Sequence, residues 1–285
     1  MTASLPPRHE PAPSAVAGVT RPFRLQGLGH AGRILKQPHF SPFKLFVDRE
    51  HRTVVVLNPK VGTRTLRDGL ARGVCKFRGC SDASQGRYRL FSSARKFPCA
   101  SPHDYWHAIS HADEYAFYAF VRNPYGRVRS AWLDKLAFGH MTGYPRSTRR
   151  RVIGPLRRLA RQRGLSGGAP ASAVSFSTFL SYIEAEPAGR RDHHWDEQHA
   201  VLMMDVLRYT RVFRLETQFR EGLAEIFTRI GFASDWVDEL VASRRNQSTK
   251  LPEPVFDADL ARRTQAIYAR DFAELGYAED SWRGL

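Results

Sequence analysis

Two short apolar segments that each end in Asn-Pro constrain the fold of this chain more than any other feature. The first is the β-branched run at residues 53–57, and the second is the aromatic run at residues 115–122. Apolar runs of this length are typical of strands that are buried on both faces. Because proline donates no hydrogen bond to a neighbouring strand, Asn-Pro is expected to end each strand.

A helical pattern follows each of these strands. After the first, Leu66 and Leu70 lie at helical spacing, and Gly73 is expected to end the helix. After the second, four apolar residues share one helical face: Val128, Ala131, Trp132 and Leu136. Three polar residues are expected to turn away from that face: Arg127, Arg129 and Asp134.

A third strand and helix are predicted at residues 211–216 and 218–232, with Gly231 closing the helix. A last helix is predicted at residues 257–275, capped by Asp257 and ended by Gly276. Alternating strands and helices predict an α/β fold, a P-loop-like parallel β-sheet flanked by helices. Because ligands of such sheets bind beyond the carboxyl ends of the strands, both Asn-Pro loops are expected to face one crevice.

The domain organisation is expected to be simple, with a flexible N-terminal leader at residues 1–40 and a single domain at residues 41–285. Residues 140–174 are interpreted as a surface insertion, because residues 146–163 contain eight arginines and a glycine-rich stretch follows. Three roles are open for it: a solvated helical face, a grip on an acidic acceptor, or peripheral contact with an anionic membrane. The membrane contact would use four apolar residues: Val152, Ile153, Leu156 and Leu159. No apolar run reaches the length of about 18 residues that a transmembrane segment needs.

The formal net charge of +16 attracts anions such as nucleic acids, acidic lipids, acidic glycans or nucleotides. Three cysteines, Cys75, Cys80 and Cys99, are too few for a disulfide scaffold, so a cytoplasmic location is expected. A nucleic-acid-binding surface would interleave basic residues with exposed aromatics. Here the aromatic residues fall mainly within strand and helix patterns, so no nucleic-acid partner is expected. A basic nucleic-acid-binding protein is still the main alternative.

The loop after the first strand has the composition of an anion site. A helix N-terminus presents unpaired backbone N–H groups and the positive end of the helix dipole. Positive charge, hydroxyl donors and a glycine surround this helix start: Lys60, Arg64, Thr63, Thr65 and Gly62. The loop lacks the Gly-Lys-Ser/Thr ending that a kinase or nucleoside triphosphatase requires. An ordinary turn with a solvated lysine is the alternative interpretation.

The loop after the second strand carries a similar signal. Arg122 closes the strand, and Ser130 falls eight residues later on the following helix. An arginine in this position can bind a phosphate with two parallel hydrogen bonds, and the serine can add a hydroxyl donor. In the alternative interpretation Arg122 pairs with a carboxylate and Ser130 only fills a gap between helices.

Taken together, these segments resemble a known family. "NPKVGTRTLRDGL" resembles the 5′-phosphosulfate loop of the sulfotransferases that use 3′-phosphoadenosine 5′-phosphosulfate (PAPS), and "FVRNPYGRVRSAWLDKL" resembles their 3′-phosphate motif. "DHHWDEQ" and "IYARDFAELGY" are similar to segments of the carbohydrate (Golgi type 2) branch. The resemblance covers residues 53–277, in the expected order.

The resemblance implies a PAPS-dependent sulfotransferase that acts on a hydroxyl of a carbohydrate, glycolipid or related acceptor. The residues implied around the 5′-phosphosulfate are Lys60, Val61, Gly62, Thr63, Arg64 and Thr65. Arg122 and Ser130 would bind the 3′-phosphate. Lys60 is the candidate to stabilise the departing bridging oxygen, and no metal is expected, because a sulfuryl group carries less charge than a phosphoryl group.

The acceptor hydroxyl also needs a base, for which histidine has a suitable pKa. The candidates are His103, His107 and His194; the resemblance favours the first two, because related enzymes often place the base between the two nucleotide motifs. A helix that packs Trp195 inward is expected around His194, with Gln198 on the same side as this histidine. A metal site in this His-rich segment is not expected, because His194 and His199 are five residues apart and would lie on different sides of a helix.

Other parts of the resemblance are less complete. Residues 244–250, "RRNQSTK", would fold over the nucleotide with Arg245 or Lys250 on a phosphate, or they form a solvated linker. Asn123 stands where the family commonly has an acidic residue, and the usual Golgi anchor is not found. A catalytically inactive relative that binds the nucleotide is a further alternative.

Overall fold

A four-stranded sheet forms the centre of the computed structural model, which describes residues 27–78, 101–137, 146–162, 174–242 and 256–285. Its strands, in spatial order, are β1 (Leu45–Asp48), β2 (Thr53–Val56), β3 (Ala116–Val121) and β4 (Arg211–Arg214). Strands β2, β3 and β4 are parallel, whereas β1 pairs with β2 in the antiparallel sense. The predicted α/β fold is confirmed, and the antiparallel edge strand is an addition to the predicted sheet.

Helices surround this sheet, and their bounds follow in chain order. The helices before β4 are α1 (Gly27–Leu35), α2 (Thr63–Arg78), α3 (Pro102–Ser110), α4 (Pro124–Trp132), α5 (Arg146–Gln162), α6 (Phe176–Glu184) and α7 (Gln198–Val201). Those after β4 are α8 (Leu215–Arg229), α9 (Asp235–Ala242), α10 (Ala258–Ile267) and α11 (Ala269–Leu275). A π-turn at Leu133–Ala137 continues α4, and short 3-10 turns lie at Pro42–Lys44, Ala112–Glu114 and Ser281–Gly284.

The two faces of the sheet are covered by different helices, because side chains alternate along each strand. One face packs against α2, α8 and α9 through Val55, Tyr118, Phe120 and Phe213. The other face packs against α1 and α3 through Val54, Val56, Phe117 and Ala119. A further cluster joins α4, α5, α6, α10 and α11 around the buried Trp195. Burial on both faces explains why the central strands contain apolar residues without alternation.

Two predicted helices differ from the observed ones, one in its end and one in its continuity. Helix α2 passes through Gly73 and ends at Arg78, and the glycine serves packing instead, since a Cβ there would lie 2.2 Å from Cε2 of Phe232. The last predicted helix is two helices, α10 and α11, separated at Tyr268. Its predicted ends are confirmed, because the Asp257 side chain accepts a hydrogen bond at the start and Gly276 adopts a left-handed conformation at the end.

The predicted leader is wrong for its last third. Helix α1 lies within it, and Ala31 and Ile34 of this helix are fully buried against the sheet. His39 is also buried. The segment from residue 27 onward is therefore part of the folded domain, whereas residues 1–26 lie outside the described residues.

Helix α5 carries the arginine-rich part of the predicted insertion. Val152 and Leu156 are buried, and Ile153 and Leu159 pack against the same cluster beside α6. These four side chains are used inside the protein, so the membrane contact predicted through them is wrong. Four arginines of the helix are exposed, as the solvated-face interpretation requires: Arg150, Arg157, Arg158 and Arg161.

None of the helices described has both the length and the apolar character needed to cross a membrane.

Candidate active site

The two Asn-Pro loops leave the carboxyl ends of the neighbouring strands β2 and β3 and meet there. Arg122, directly after β3, donates a hydrogen bond from Nη1 to the backbone carbonyl of Lys60 (3.3 Å). The two loops therefore form one continuous surface at this edge of the sheet, as the parallel strand order predicts.

The first loop has an unusual backbone at two positions. Lys60 has φ of +72°, a left-handed conformation that is uncommon for a residue other than glycine and that often occurs at functional sites. Gly62 has φ of +76°, and a Cβ at this position would lie 3.1 Å from Leu215 and Phe219 of α8. Glycine is required here both for its conformation and for the close approach of α8.

Helix α2 starts at Thr63, three residues after Lys60. The Thr63 hydroxyl donates to the carbonyl of Asn58, which closes the loop, and Val61 is buried beneath it. Arg64 is exposed and Thr65 is half-buried. N–H groups in the first turn of a helix have no acceptor within the helix, and they suit an anion.

The second loop positions Arg122 over the start of α4. The Asn123 side chain caps this helix by accepting from the N–H of Tyr125, and a Cβ at Gly126 would lie 3.2 Å from Nε of Arg122. Burial lowers the pKa of the Arg122 guanidinium. Within the described residues, no salt bridge ties Arg122 to a carboxylate, contrary to the alternative interpretation of this residue. Ser130 lies two turns further along α4 and is half-buried.

A buried amide network fixes the ends of both strands. The Gln198 side chain accepts from the N–H of Arg122 (2.9 Å) and donates to its carbonyl (2.7 Å), as a neighbouring strand would. It also accepts from the side chain of Asn58 (3.0 Å), which donates in turn to the carbonyl of Phe120 (3.2 Å). Asp271 holds Gln198 in place by accepting from its backbone N–H (2.8 Å).

Arg127 is fully buried, although the helical pattern predicted that it turns away from the apolar face. Its guanidinium donates to three backbone carbonyls: those of Pro59 (3.2 Å), Asp196 (2.5 Å) and His193 (2.9 Å). The side chain thus joins the first loop to the His-rich segment. Its role is structural, because its donors are used on carbonyl groups of the protein.

The His-rich segment forms a turn at residues 191–196 in place of the predicted helix, although Trp195 is buried as expected. Asp192 accepts from Nδ1 of His194 (2.7 Å) and from its backbone N–H (2.9 Å). Burial lowers the pKa of His194; Asp192 opposes this, and the positive charges of Lys135 and Lys60 add to it. His194 is therefore neutral at pH 7, with Nε2 as its basic nitrogen.

Lys60 forms an ion pair that the sequence did not reveal. Its Nζ lies 3.1 Å from Oδ2 of Asp134, a residue of the π-turn after α4, and both side chains are largely buried. Burial lowers the pKa of Lys60 to about 8, while the charge and hydrogen bond of Asp134 oppose the shift. Asp134 was expected to face away, yet its position four residues after Ser130 places both on one helical face, a signal that the sequence did contain.

His103 and His107 lie at the opposite edge of the sheet. His107 contacts the hydroxyl of Tyr115, which directly precedes β3 (2.9 Å), and His103 accepts a hydrogen bond from Arg49, which follows β1 (3.0 Å). Strand β3 has six residues, so its two ends are about 20 Å apart at ~3.3 Å per residue. This placement removes both histidines as bases for chemistry at Lys60 and leaves His194.

The described residues contain two groups with metal-ligand character. One is Asp192, His193 and His194, and the other is Asp48, Glu50 and His51. The argument from helical spacing was wrong for the first group, because this segment is a turn. However, the positive charges of Lys60, Lys135 and Lys44 act on these side chains and oppose a bound cation.

The remaining predicted site residues, Arg245 and Lys250, lie outside the described residues. Glu216, which the sequence did not single out, accepts from the N–H of Asn123 (2.8 Å) and from the hydroxyl of Tyr277 (3.1 Å). It therefore supports the second loop from the first turn of α8, directly after β4.

Comparison with known proteins adds one finding. A model of the sulfotransferase family matches residues 44–278, which includes both loops, the π-turn and the His-rich segment. No curated protein and no solved structure matches the chain at a significant level.

Proposed function

The chain belongs to the sulfotransferase family, and from this membership and the site geometry we propose that it transfers a sulfuryl group from PAPS to a hydroxyl of a carbohydrate, glycolipid or related acceptor. The observation that carries the proposal is the contact between Arg122 and the carbonyl of Lys60. It brings the two loops that resemble phosphosulfate and 3′-phosphate motifs into a single site.

The positive charges of the two loops suit a nucleotide that carries two separate anionic groups. Arg122 and Ser130 would hold the 3′-phosphate, and the start of α2, with residues 60–65, would hold the 5′-phosphosulfate. The backbone of Arg122 is fixed on both sides by Gln198, which keeps the guanidinium in place before the nucleotide binds. No step of the proposed reaction requires a metal.

The proposed chemistry is an in-line displacement at sulfur. The acceptor oxygen forms a bond to sulfur while the bond from sulfur to the bridging phosphate oxygen breaks, and the nucleotide leaves as adenosine 3′,5′-bisphosphate. Negative charge develops on the bridging oxygen, where the Lys60 ammonium would stabilise it more in the transition state than in the ground state.

His194 is the proposed base for the acceptor proton. The carboxylate of Asp192 holds Nδ1–H and so fixes the ring in the tautomer that has its lone pair on Nε2. The electrostatic influence of Lys60 and Lys135 on His194 supports its closeness to the reaction centre.

Calorimetry with adenosine 3′,5′-bisphosphate, 5′-AMP and ATP tests the proposal. Binding of the bisphosphate at least tenfold tighter than that of 5′-AMP is expected, because only the bisphosphate engages Arg122. Arg122→Gln is expected to reduce bisphosphate affinity by a factor of about 10 to 100, the effect of losing a charged hydrogen bond, and to leave 5′-AMP binding almost unchanged.

Arg211→Gln is the matched control, because Arg211 pairs with Glu221 and Glu225 beside β4, outside the two loops. Equal affinity for ATP and the bisphosphate would contradict the proposal. Tight bisphosphate binding without sulfuryl transfer to any hydroxyl acceptor would instead identify an inactive relative.

A further inference from the structure

The ion pair between Lys60 and Asp134 raises a question about the proposed reaction, on which this inference rests. Lys60 is the proposed partner of an anionic leaving group, yet its ammonium already lies 3.1 Å from a carboxylate. A carboxylate so close to the site would also repel the phosphosulfate. The pair must therefore rearrange when the donor binds.

The position of Asp134 suits such a rearrangement. It lies in the π-turn directly after α4, the helix that carries Ser130 and begins beside Arg122. An aspartate here links the first loop to the element that holds the 3′-phosphate motif. Its Oδ2 also lies 3.1 Å from Nζ of Lys135, and its side chain is 24% exposed, so the carboxylate keeps a cationic partner when the Lys60 ammonium moves to another anion.

We propose that Asp134 acts as a latch for Lys60: it holds the ammonium group ready before the donor binds and yields it to the phosphosulfate afterwards. Asp134 is thus a positioning residue that acts through Lys60. The exchange replaces one anionic partner by another, so Lys60 keeps a counter-charge throughout.

The latch also maintains the charge on Lys60. Four charged or titratable groups act on this ammonium in the described structure: Asp134, Lys135, Arg122 and His194. Burial and the two cations lower its pKa, and the charge and hydrogen bond of Asp134 raise it. Without Asp134 the pKa of Lys60 would fall below its present value of about 8, and part of the enzyme would lose its cation at neutral pH.

The test compares Asp134→Asn with the wild type by NMR of ¹³C-methylated lysines, with the Lys60 signal assigned by its loss in Lys60→Arg. The pKa of Lys60 is expected to fall by about one unit or more, as for the loss of an opposite charge at this distance. Affinity for adenosine 3′,5′-bisphosphate at pH 6 is expected to rise several-fold. The high-pH limb of kcat should shift to lower pH.

Asp68→Asn is the matched control, because Asp68 pairs with Arg72 on the exposed side of α2. Asp134→Glu should restore much of the wild-type pKa, which a purely structural role would not predict. An unchanged Lys60 pKa in Asp134→Asn, or weaker bisphosphate binding, would overturn the proposal.

Titrating the wild type with adenosine 3′,5′-bisphosphate provides a test that needs no variant at position 134. The Lys60 signal is expected to shift on saturation while its pKa stays near or above the starting value, and an unperturbed signal would refute the exchange. If the wild type fails to bind the bisphosphate, the proposed function is wrong. The effect of Asp134 on the pKa of Lys60 would still be measurable by comparing the wild type and Asp134→Asn without nucleotide.

Discussion

The pH dependence of kcat reports on the proposed base, His194, independently of nucleotide binding. Its pKa is lowered from the ordinary value of 6.5, chiefly by burial. A base acts in its deprotonated form, so a lowered pKa extends the active range to lower pH. We expect kcat to fall at a lower pH than it would with a histidine of ordinary pKa as the base.

His194→Gln should reduce kcat by a factor of about 10² to 10⁴, the usual contribution of a general base, and should abolish the acid limb. Bisphosphate affinity should change less than twofold. His107→Gln is the matched control, since His107 lies at the other edge of the sheet. Loss of turnover in His107→Gln, with His194→Gln active, would reverse the assignment.

The limits of sequence reasoning are clear at the residue scale. Lys60 and Arg122 could be singled out because each follows an apolar strand and precedes a helix, a local pattern. The spacing of Asp134 from Ser130 indicated a shared helical face but not the ion pair with Lys60. Gln198, which holds the backbone of Arg122, could not be singled out as its partner, because the two are distant in the chain and meet only in the folded protein. Arg127 illustrates the same point, since the carbonyl groups that it binds leave no trace in the sequence.

At the scale of the element, two helical glycines allow the effect of packing on stability to be separated from the effect of helix propensity. Gly73 in α2 meets the Phe232 ring, whereas nothing lies within 4 Å of a Cβ built on Gly32 in α1. Alanine in place of glycine favours a helix by about 1 kcal/mol. Gly32→Ala should therefore raise the free energy of unfolding by up to about 1 kcal/mol.

Gly73→Ala should lower the free energy of unfolding by about 1–3 kcal/mol, because overpacking at Phe232 outweighs the gain in propensity. Urea denaturation of the two variants measures both effects. Equal stabilisation by both substitutions would show that the contact between α2 and Phe232 is looser than the structure indicates.

Elements with strong periodicity were predictable, and elements fixed by tertiary contacts were not. Strands β2 and β3 have continuous apolar runs, and α8 has a regular apolar stripe, so each was predicted close to its observed bounds, whereas the strand predicted at residues 211–216 extends two residues into α8. Edge strand β1 has only four residues and pairs with β2 after a short turn. The His-rich segment is held as a turn by Asp192, Asp196 and Arg127, and not by its own helical propensity.

The N-terminal segment links distant parts of the whole molecule to the candidate site. His39 lies 2.7 Å from Oδ2 of Asp196, which is fully buried. The same carboxylate accepts from the backbone N–H groups of Gly189, Arg191 and Glu197. Asp196 therefore shapes the turn that carries Asp192 and His194, and His39 supplies its side-chain partner from the start of the domain.

Removing His39 should consequently affect both stability and turnover. His39→Ala leaves a buried carboxylate without its side-chain partner, so we expect a loss of about 3 kcal/mol in the free energy of unfolding at pH 7. We also expect a several-fold fall in kcat. His51→Ala is the matched control, because His51 pairs with buried Asp48 (3.1 Å) away from the two loops. The control should lose stability but keep its kcat.

The pH dependence of stability follows from the lowered pKa of Asp196, where the hydrogen bonds from His39 and from backbone N–H groups outweigh the opposing effect of burial. A carboxylate with a depressed pKa in the folded state stabilises the fold above its unfolded pKa of about 4, and this contribution is lost as the pH falls through the folded pKa. As the pH falls from about 4 through the folded pKa of Asp196, His39→Ala should therefore lose less stability than the wild type. Parallel acid-unfolding curves, or a His39→Ala variant with wild-type stability and kcat, would show that the N-terminal segment merely covers the domain without supporting the site.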